Sequence, residues 1–336
     1  MARKRSMKQR KLEPAVQTMT MQVPNGTHTI DLSQCASLVN RRFYRQGINW
    51  VVAGFRFFRA GTSPTPGTGV SVSKLPNTWV LGNAWEKSFR HWQELNKRAV
   101  EAGESLPGRF TDFKIYMDAT HHANGSGSNL LPVDANGVVA GAGEWIYSKI
   151  VFPQTSTIGG VIEAEIIATG ANYPGAGASG LDAVSLIEGY ANSRALPSIV
   201  DPNTPGDAAD TSAGTPENWL GAIDNQGTTQ VSEVIADLTA DNDKAPYPFE
   251  NDGTAVDTQY PGGANQLPGL QLVDVAYFST AENANKLYCK GDNFPCGLVR
   301  IFQNTGEEIT MMIDLVPGTH RGYLCEPMTE LSLIHI

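Results

Sequence analysis

The chain has 336 residues, of which 41% are hydrophobic and 18% charged, and this composition is typical of a folded protein rather than a disordered one. Its 34 glycines and 20 prolines indicate many turns, as in an all-β fold. No stretch approaches the length of a transmembrane helix and no apolar segment follows the basic N-terminus, so the sequence predicts neither a membrane span nor a secretory signal. Four cysteines without paired spacing predict reduced, partly buried thiols: Cys35, Cys289, Cys296 and Cys325.

Charge is divided between the two ends of the chain. Residues 1–110 carry 17 Lys and Arg against 6 Asp and Glu, whereas residues 111–336 carry 8 against 28, for a net charge of −9. Six bases lie in the first twelve residues with no acid among them: Arg3, Lys4, Arg5, Lys8, Arg10 and Lys11. Because such a run cannot bury itself, we expect residues 1–14 to form a disordered basic arm. This arm suits polyanion binding or nuclear import, although a merely solubilising tail has the same composition.

Apolar and alternating segments predict strands along most of the chain. They cover residues 17–23, 27–32, 48–58, 70–75, 112–117, 145–152, 161–168, 270–278, 297–303 and 308–316. The clearest helix spans 83–103, where Asn83 and Glu86 form a capping box and an apolar stripe follows at helical spacing. Residues 185–194 favour a short helix, and 33–46 favour either a short helix or an irregular basic segment.

The region from 201 to 260 differs from the rest of the chain in composition. It holds 12 acids and a single base, Lys244, among many Gly, Pro, Asn and Thr residues. We interpret about 200–268 as an acidic, solvent-facing insertion. Together with the strands on either side, the pattern predicts an all-β fold, an eight-stranded antiparallel jelly-roll sandwich over 15–330 with one helix of about 20 residues and long surface loops.

Two clusters contain chemically active side chains, but neither forms a complete site. Asp118, His121 and His122 could ligate a metal, yet the second half of a usual metal motif is missing, and exposed loop histidines are the simpler interpretation. Glu163 and Glu165 could do acid/base work on sugars, but their spacing also fits the wet face of a half-buried sheet. The sequence therefore predicts no catalytic residue, no metal site and no cofactor.

Five stretches carry a family resemblance: MARKRSMKQRKL at the N-terminus, VNRRFYRQGINWVVAGF at 39–55, KLPNTWV at 74–80, NAWEKSFRHW at 83–92 and IDLVPGTHRGYLCEPMTE at 313–330. In these stretches the chain resembles capsid proteins of uncultured marine viruses with small circular single-stranded DNA genomes, from residue 1 to about 330. The resemblance implies a jelly-roll structural subunit, not an enzyme, present in many copies in an icosahedral shell. It also implies an inward basic arm that packages a single-stranded genome without sequence preference, in the virion and in the host nucleus.

On this interpretation the arm and a second basic cluster contact the nucleic acid: Arg3, Lys4, Arg5, Lys8, Arg10, Lys11, Arg41, Arg42 and Arg45. The expected partners are further copies of the chain, the nucleic acid and a host nuclear import receptor, with no membrane. The main alternative is a carbohydrate-binding or carbohydrate-active β-sandwich protein that uses Glu163 and Glu165. A third possibility is a nuclear regulatory protein whose arm is only an import signal.

Residues 331–336 match one translated frame of a transposon end used in sequencing-library preparation, so we expect them not to belong to the protein.

Overall fold

The computed structural model describes residues 14–60, 66–103, 112–154, 160–194, 210–211, 215–216, 219–224, 269–279 and 285–331. Nearly all of the predicted basic arm, most of the predicted acidic insertion and residues 332–336 lie outside this described part of the chain. Within it, no helix combines the length and the apolar character needed to cross a membrane.

Most of the described secondary structure is β. The strands, in chain order, are β1 (Thr18–Val23), β2 (Gly26–Asp31), β3 (Ile48–Phe58), β4 (Gly69–Lys74), β5 (Lys149–Pro153), β6 (Val161–Ile167), β7 (Ala183–Ser185), β8 (Asp210–Thr211), β9 (Thr215–Pro216), β10 (Gln271–Tyr277), β11 (Lys286–Lys290), β12 (Asn293–Phe294), β13 (Leu298–Gln303), β14 (Ile309–Leu315), β15 (Pro317–Gly318), β16 (Gly322–Tyr323) and β17 (Cys325–Pro327). The α-helices are α1 (Leu32–Asn40), α2 (Trp79–Ala102), α3 (Ala119–Asn124), α4 (Leu186–Arg194), α5 (Trp219–Asp224) and α6 (Met328–Leu331).

Two antiparallel sheets form the centre of the fold. The first has the strand order β1-β14-β3-β11, and the short strands β12 and β17 also pair with β3. The second has the order β10-β4-β13-β2. Neighbouring strands come from distant parts of the chain, so that Met21 lies opposite Met311 in the first sheet and Ile30 lies opposite Val299 in the second. A smaller sheet joins β5 and β6 antiparallel, and β6 and β7 parallel.

One buried apolar cluster contains side chains from both central sheets. Strand β14 alternates buried and half-buried residues along its length, which directs one face of the sheet inward. The first sheet contributes Met21, Phe55, Phe57 and Ile313, and the second contributes Ile30, Val72 and Ile301. Each such side chain contributes about 1.5–3 kcal/mol when fully buried. The shared core is compatible with a β-sandwich.

A second apolar cluster packs the long helix α2 near the smaller sheet. Helix α2 contributes Val80, Leu81 and Trp85, and β6 contributes Ala164 and Ile166, all of them at most 4% exposed. This cluster extends the protein beyond the two central sheets, and some of its aromatic residues also line a cavity next to residues 43–48.

The start of α2 differs from the sequence prediction. The helix begins at Trp79 rather than Asn83, because Thr78 Oγ1 accepts a hydrogen bond from Leu81 N at 3.3 Å and caps the helix one turn earlier.

The predicted strand over 112–117 is also wrong. This segment is extended, but within the described residues it joins the smaller sheet only through a bridge at Tyr116.

Candidate nucleic-acid interface

The predicted basic cluster lies in a turn between α1 and β3. Asp31 caps the start of α1 and accepts hydrogen bonds from Ser33 N at 3.0 Å and Gln34 N at 3.2 Å. The helix ends at Asn40, because Arg41 adopts the left-handed conformation at φ 52° and ψ 40°. That conformation is uncommon for a residue with a Cβ atom, and it directs the chain away from the helix axis.

Tyr44 anchors this turn to the core. Its ring lies 5.7 Å from the ring of Trp50 and 5.6 Å from that of Tyr323, measured between centroids. Its hydroxyl donates to Arg321 O at 3.0 Å, and its backbone N–H donates to Ser37 Oγ at 2.9 Å. The anchored tyrosine is 1% exposed, whereas its neighbours lie on the surface. We name these exposed neighbours the 41–45 surface: Arg41, Arg42, Phe43 and Arg45.

Two of these arginines are electrostatically unusual. Within the described part of the chain, the side chains of Arg41 and Arg45 form no hydrogen bond or ion pair. Many other described bases are paired with an acid: Arg56 with Asp314, Arg59 with Glu307, Lys74 with Asp292, Lys149 with Glu163, and Arg300 with Asp118. Guanidinium groups without a partner remain available for bidentate contacts to phosphate.

The described chain begins beside this surface. Pro14 O accepts a hydrogen bond from Arg42 Nη1 at 3.4 Å, and Val16 N donates to Asn40 Oδ1 at 3.0 Å. The six predicted arm bases themselves lie outside the described residues. The described chain therefore begins next to the 41–45 surface, and the predicted arm bases precede this point in the sequence.

A cavity of about 430 Å³ lies beside the turn. Its aromatic lining residues are Phe43, Tyr44, Trp85, Phe89 and Phe113. The exposed residues Arg45 and Arg321 also line it, as does Asp112, whose Oδ2 lies 2.6 Å from Lys114 Nζ. Phe43 is the most exposed of these rings, at 38%, whereas Tyr44, Trp85 and Phe113 are at most 4% exposed. The cavity therefore combines an aromatic lining with positive charge.

A buried polar network fixes the chain where it leaves the turn. Gln46 Nε2 donates to Asp31 Oδ2 at 2.9 Å and to Ile115 O at 3.0 Å, while Gln46 Oε1 accepts from Ile115 N at 2.6 Å. Trp145 Nε1 also donates to Asp31 Oδ2, at 3.0 Å. Burial raises the pKa of Asp31 to about 6, despite hydrogen bonds that favour the carboxylate. This network holds the base of the turn in one conformation.

The two histidines of the possible metal cluster are buried in α3, at 1% exposure each, so the interpretation as exposed loop histidines is wrong. His121 Nδ1 accepts a hydrogen bond from Met117 N at 3.0 Å, which leaves the proton on Nε2 to be donated to Asn129 Oδ1 at 2.8 Å. Burial lowers the pKa of His121 to about 4. Asp118 is bound to Arg300. In the described part of the chain, no group of three or more His, Cys, Asp or Glu side chains could hold a metal ion.

The two glutamates of the carbohydrate alternative lie in different environments. Glu165 is 4% exposed, and its Oε2 lies 2.9 Å from His122 Nε2 and accepts from Ser179 Oγ at 2.9 Å. Glu163 is partly exposed and lies 3.0 Å from Lys149 Nζ. The two carboxylates therefore do not share one open site in which a sugar would lie between them.

The chain has no match among protein-family models, among curated proteins or among solved structures. The interpretation of the interface therefore depends on its own geometry. Three parts of that geometry are not predicted by the sequence: the position of Pro14, the contribution of Arg321 and the aromatic cavity.

Proposed function

We propose that this protein is the subunit of an icosahedral capsid, which packages a single-stranded nucleic acid through the 41–45 surface and the basic N-terminal residues. The observation that carries the proposal is that the described chain begins with Pro14 against the 41–45 surface, so that the basic residues before Pro14 are tethered beside arginines without described partners. Phosphates neutralised there would release counterions, which gives affinity without sequence preference. The interspersed Phe43 offers a stacking surface for bases, a combination usual in proteins that bind single strands.

Strand order supports a jelly roll for the two central sheets. If the eight longer central strands β1, β2, β3, β4, β10, β11, β13 and β14 are numbered 1 to 8 in chain order, the sheets have the orders 1-8-3-6 and 5-4-7-2. Two Greek keys produce this order in an eight-stranded jelly roll, an architecture used by viral capsids. We therefore propose a jelly roll in which α2 and the smaller sheet are additions between β4 and β10.

Exposed apolar side chains support assembly of many copies. Strand β10 is the outer strand of its sheet and carries Leu272 and Tyr277, which are 58% and 65% exposed. Tyr288 and Phe302 are 58% and 45% exposed on neighbouring parts of the central sheets. Apolar side chains beside the edge of β10 that pairs with no other described strand suit contacts between subunits.

The binding part of the proposal is tested by the salt dependence of affinity for single-stranded DNA, measured by fluorescence anisotropy with the full chain. Each neutralised phosphate contributes about 0.7 to the log–log slope on single strands, so R41Q/R45Q should reduce the slope by about 1.4. The matched control R56Q/K149Q removes the same charge from ion-paired positions and should leave the slope unchanged. Equal slopes for R41Q/R45Q and the unmodified protein would overturn the assignment.

The assembly part is tested by negative-stain microscopy of the purified protein, which should show uniform closed particles. Only monomers and small oligomers, at every protein concentration and with DNA present, would contradict it.

We further propose that the N-terminal bases act as a nuclear-import signal. A fluorescent protein fused to residues 1–14 should then accumulate in the nucleus, and its even distribution through the cell would remove this part of the proposal.

A further inference from the structure

We infer that the cavity beside the 41–45 surface is a pocket for one unstacked nucleobase of the bound strand, with the adjoining phosphates at Arg45 and Arg321. The inference rests on the proposed function and goes beyond it, since packaging by charge alone needs no pocket for a base. It assigns the cavity of about 430 Å³ to a ligand of stated chemistry.

Two partly exposed aromatic rings of the cavity can contact a flat ring. Phe43 is 38% exposed and lines the cavity from the turn, and Phe89 is half-buried and lines it from α2. Trp85 and Phe113, 4% and 2% exposed, pack against Phe89 at 4.9 Å and 5.7 Å between ring centroids and support it. The volume lies within the range of about 300–1,000 Å³ that is usual for small-molecule sites. Every base has a π face, so such walls bind bases of any identity.

The charges at the cavity favour an anionic ligand. Arg45 is exposed and forms no ion pair with a described residue, and Arg321 Nη1 donates to Phe43 O, which holds that guanidinium against the turn. Asp112 contributes no net negative charge, because Lys114 neutralises it at 2.6 Å. Two guanidinium groups next to an aromatic pocket correspond to a base with its flanking phosphates.

The inference is tested by comparing oligo-dT with an abasic oligonucleotide of the same length, which keeps every phosphate but has no bases. The full chain should bind oligo-dT about 5- to 100-fold more tightly, the range expected for stacking of one base. Failure to bind either oligonucleotide would overturn the proposed function and this inference together. Equal binding to both would overturn the pocket, together with stacking of bases on Phe43, and would leave packaging by charge intact.

Two variants locate the discrimination. F43A removes an aromatic wall without changing charge, so the affinity for oligo-dT should fall close to the affinity for the abasic oligonucleotide. R41Q should weaken binding to both oligonucleotides by the same factor, because Arg41 does not line the cavity. Melting temperatures of both variants check that they are folded. A preference for oligo-dT that persists in folded F43A would overturn the inference.

Photochemical cross-linking gives a readout that does not depend on any variant. An oligonucleotide with 5-iododeoxyuridine, irradiated in complex with the unmodified protein, should cross-link to Phe43 or Phe89, as identified by mass spectrometry. Cross-links confined to exposed aromatic residues elsewhere, such as Tyr277 or Tyr288, would show that bases stack on another surface and would overturn the pocket. If the cavity instead binds an aliphatic peptide segment, the oligonucleotide should likewise give no cross-link to the cavity residues, and the inference would be overturned.

Discussion

Two buried groups, Asp31 and His121, should make opposite contributions to the pH dependence of stability. Burial raises the pKa of Asp31 from 3.8 to about 6 and lowers the pKa of His121 from 6.5 to about 4. The folded protein therefore binds the proton of Asp31 more tightly, and the proton of His121 less tightly, than the unfolded chain does. Each difference corresponds to about 3 kcal/mol, since a tenfold change in affinity is about 1.4 kcal/mol.

The sign of each contribution follows from where the proton is held. The stability gained from Asp31 is complete below about pH 4 and is lost as the pH rises toward 6, because the folded state then carries a buried carboxylate. The stability gained from His121 is complete above about pH 6.5 and is lost as the pH falls toward 4, because the buried imidazole must then gain a charge. Between pH 4 and 6.5 the two contributions nearly cancel.

Single substitutions should expose each contribution. In D31N, the free energy of unfolding should rise by about 3 kcal/mol relative to the unmodified protein as the pH increases from about 4 to 6.5. In H121Q, it should fall by about the same amount, and the double variant D31N/H121Q should follow the unmodified protein. The measurement is urea denaturation, followed by tryptophan fluorescence, at a series of pH values. At each pH, the free energy of unfolding of a variant is subtracted from that of the unmodified protein. Other carboxylates titrate in all four proteins, so their contribution cancels in this difference.

Parallel profiles for the unmodified protein and both single variants would refute this reasoning. They would show that neither group has a different pKa in the folded and unfolded states. D31N should also be less stable than the unmodified protein by a constant amount at every pH, because the asparagine places its amide group near the donors of Gln46 and Trp145. This constant difference does not depend on the pKa of Asp31 and does not test the reasoning.

Two further predictions concern the core. Burial raises the pKa of the Cys35 and Cys296 thiols well above the usual range, so iodoacetamide should leave both unmodified in the folded protein and should alkylate them in denaturant; rapid labelling of the folded protein would contradict this. In G291A, the new Cβ would clash with the backbone oxygen Val52 O, so we expect a loss of about 1–3 kcal/mol in the free energy of unfolding and a lower melting temperature. The control G141A meets no described atom within 4 Å and should melt within about a degree of the unmodified protein; equal melting of both variants would refute the packing argument.

The central strands are predictable from two different signals. Strand β14 alternates buried and half-buried residues along its length, whereas β3, which covers the predicted residues 48–58, is an almost continuous apolar run that is buried without strict alternation. Strand β11 is missed because it has five residues with a lysine at each end, and only Cys289 among them is fully buried. The start of α2 is misplaced because Thr78 and Asn83 are both good caps, and only the burial of the intervening turn selects Thr78.

The candidate site is predictable only in part, for a similar reason. The exposed arginines at 41, 42 and 45 are evident from local composition. Their neighbours are not, because Arg42 meets a residue 28 positions away and Phe43 meets one 278 positions away. The buried histidines of α3 are misjudged because the polar segment around them indicates a loop, whereas inside the protein Asn129 accepts a hydrogen bond from His121 and Glu165 lies beside His122.

The relative contributions of the N-terminal bases and the 41–45 surface can be separated by deletion. The first twelve residues supply six bases and the surface supplies three arginines, so full use of all nine on a single strand gives a log–log salt slope of about 6. Deleting residues 2–12 should lower the slope by about 4 and leave about 2, because each neutralised phosphate contributes about 0.7. A slope near zero after deletion would mean that the 41–45 surface does not reach phosphates, and an unchanged slope would mean that the N-terminal bases do not. Either result would contradict the proposal that the two basic segments form one interface.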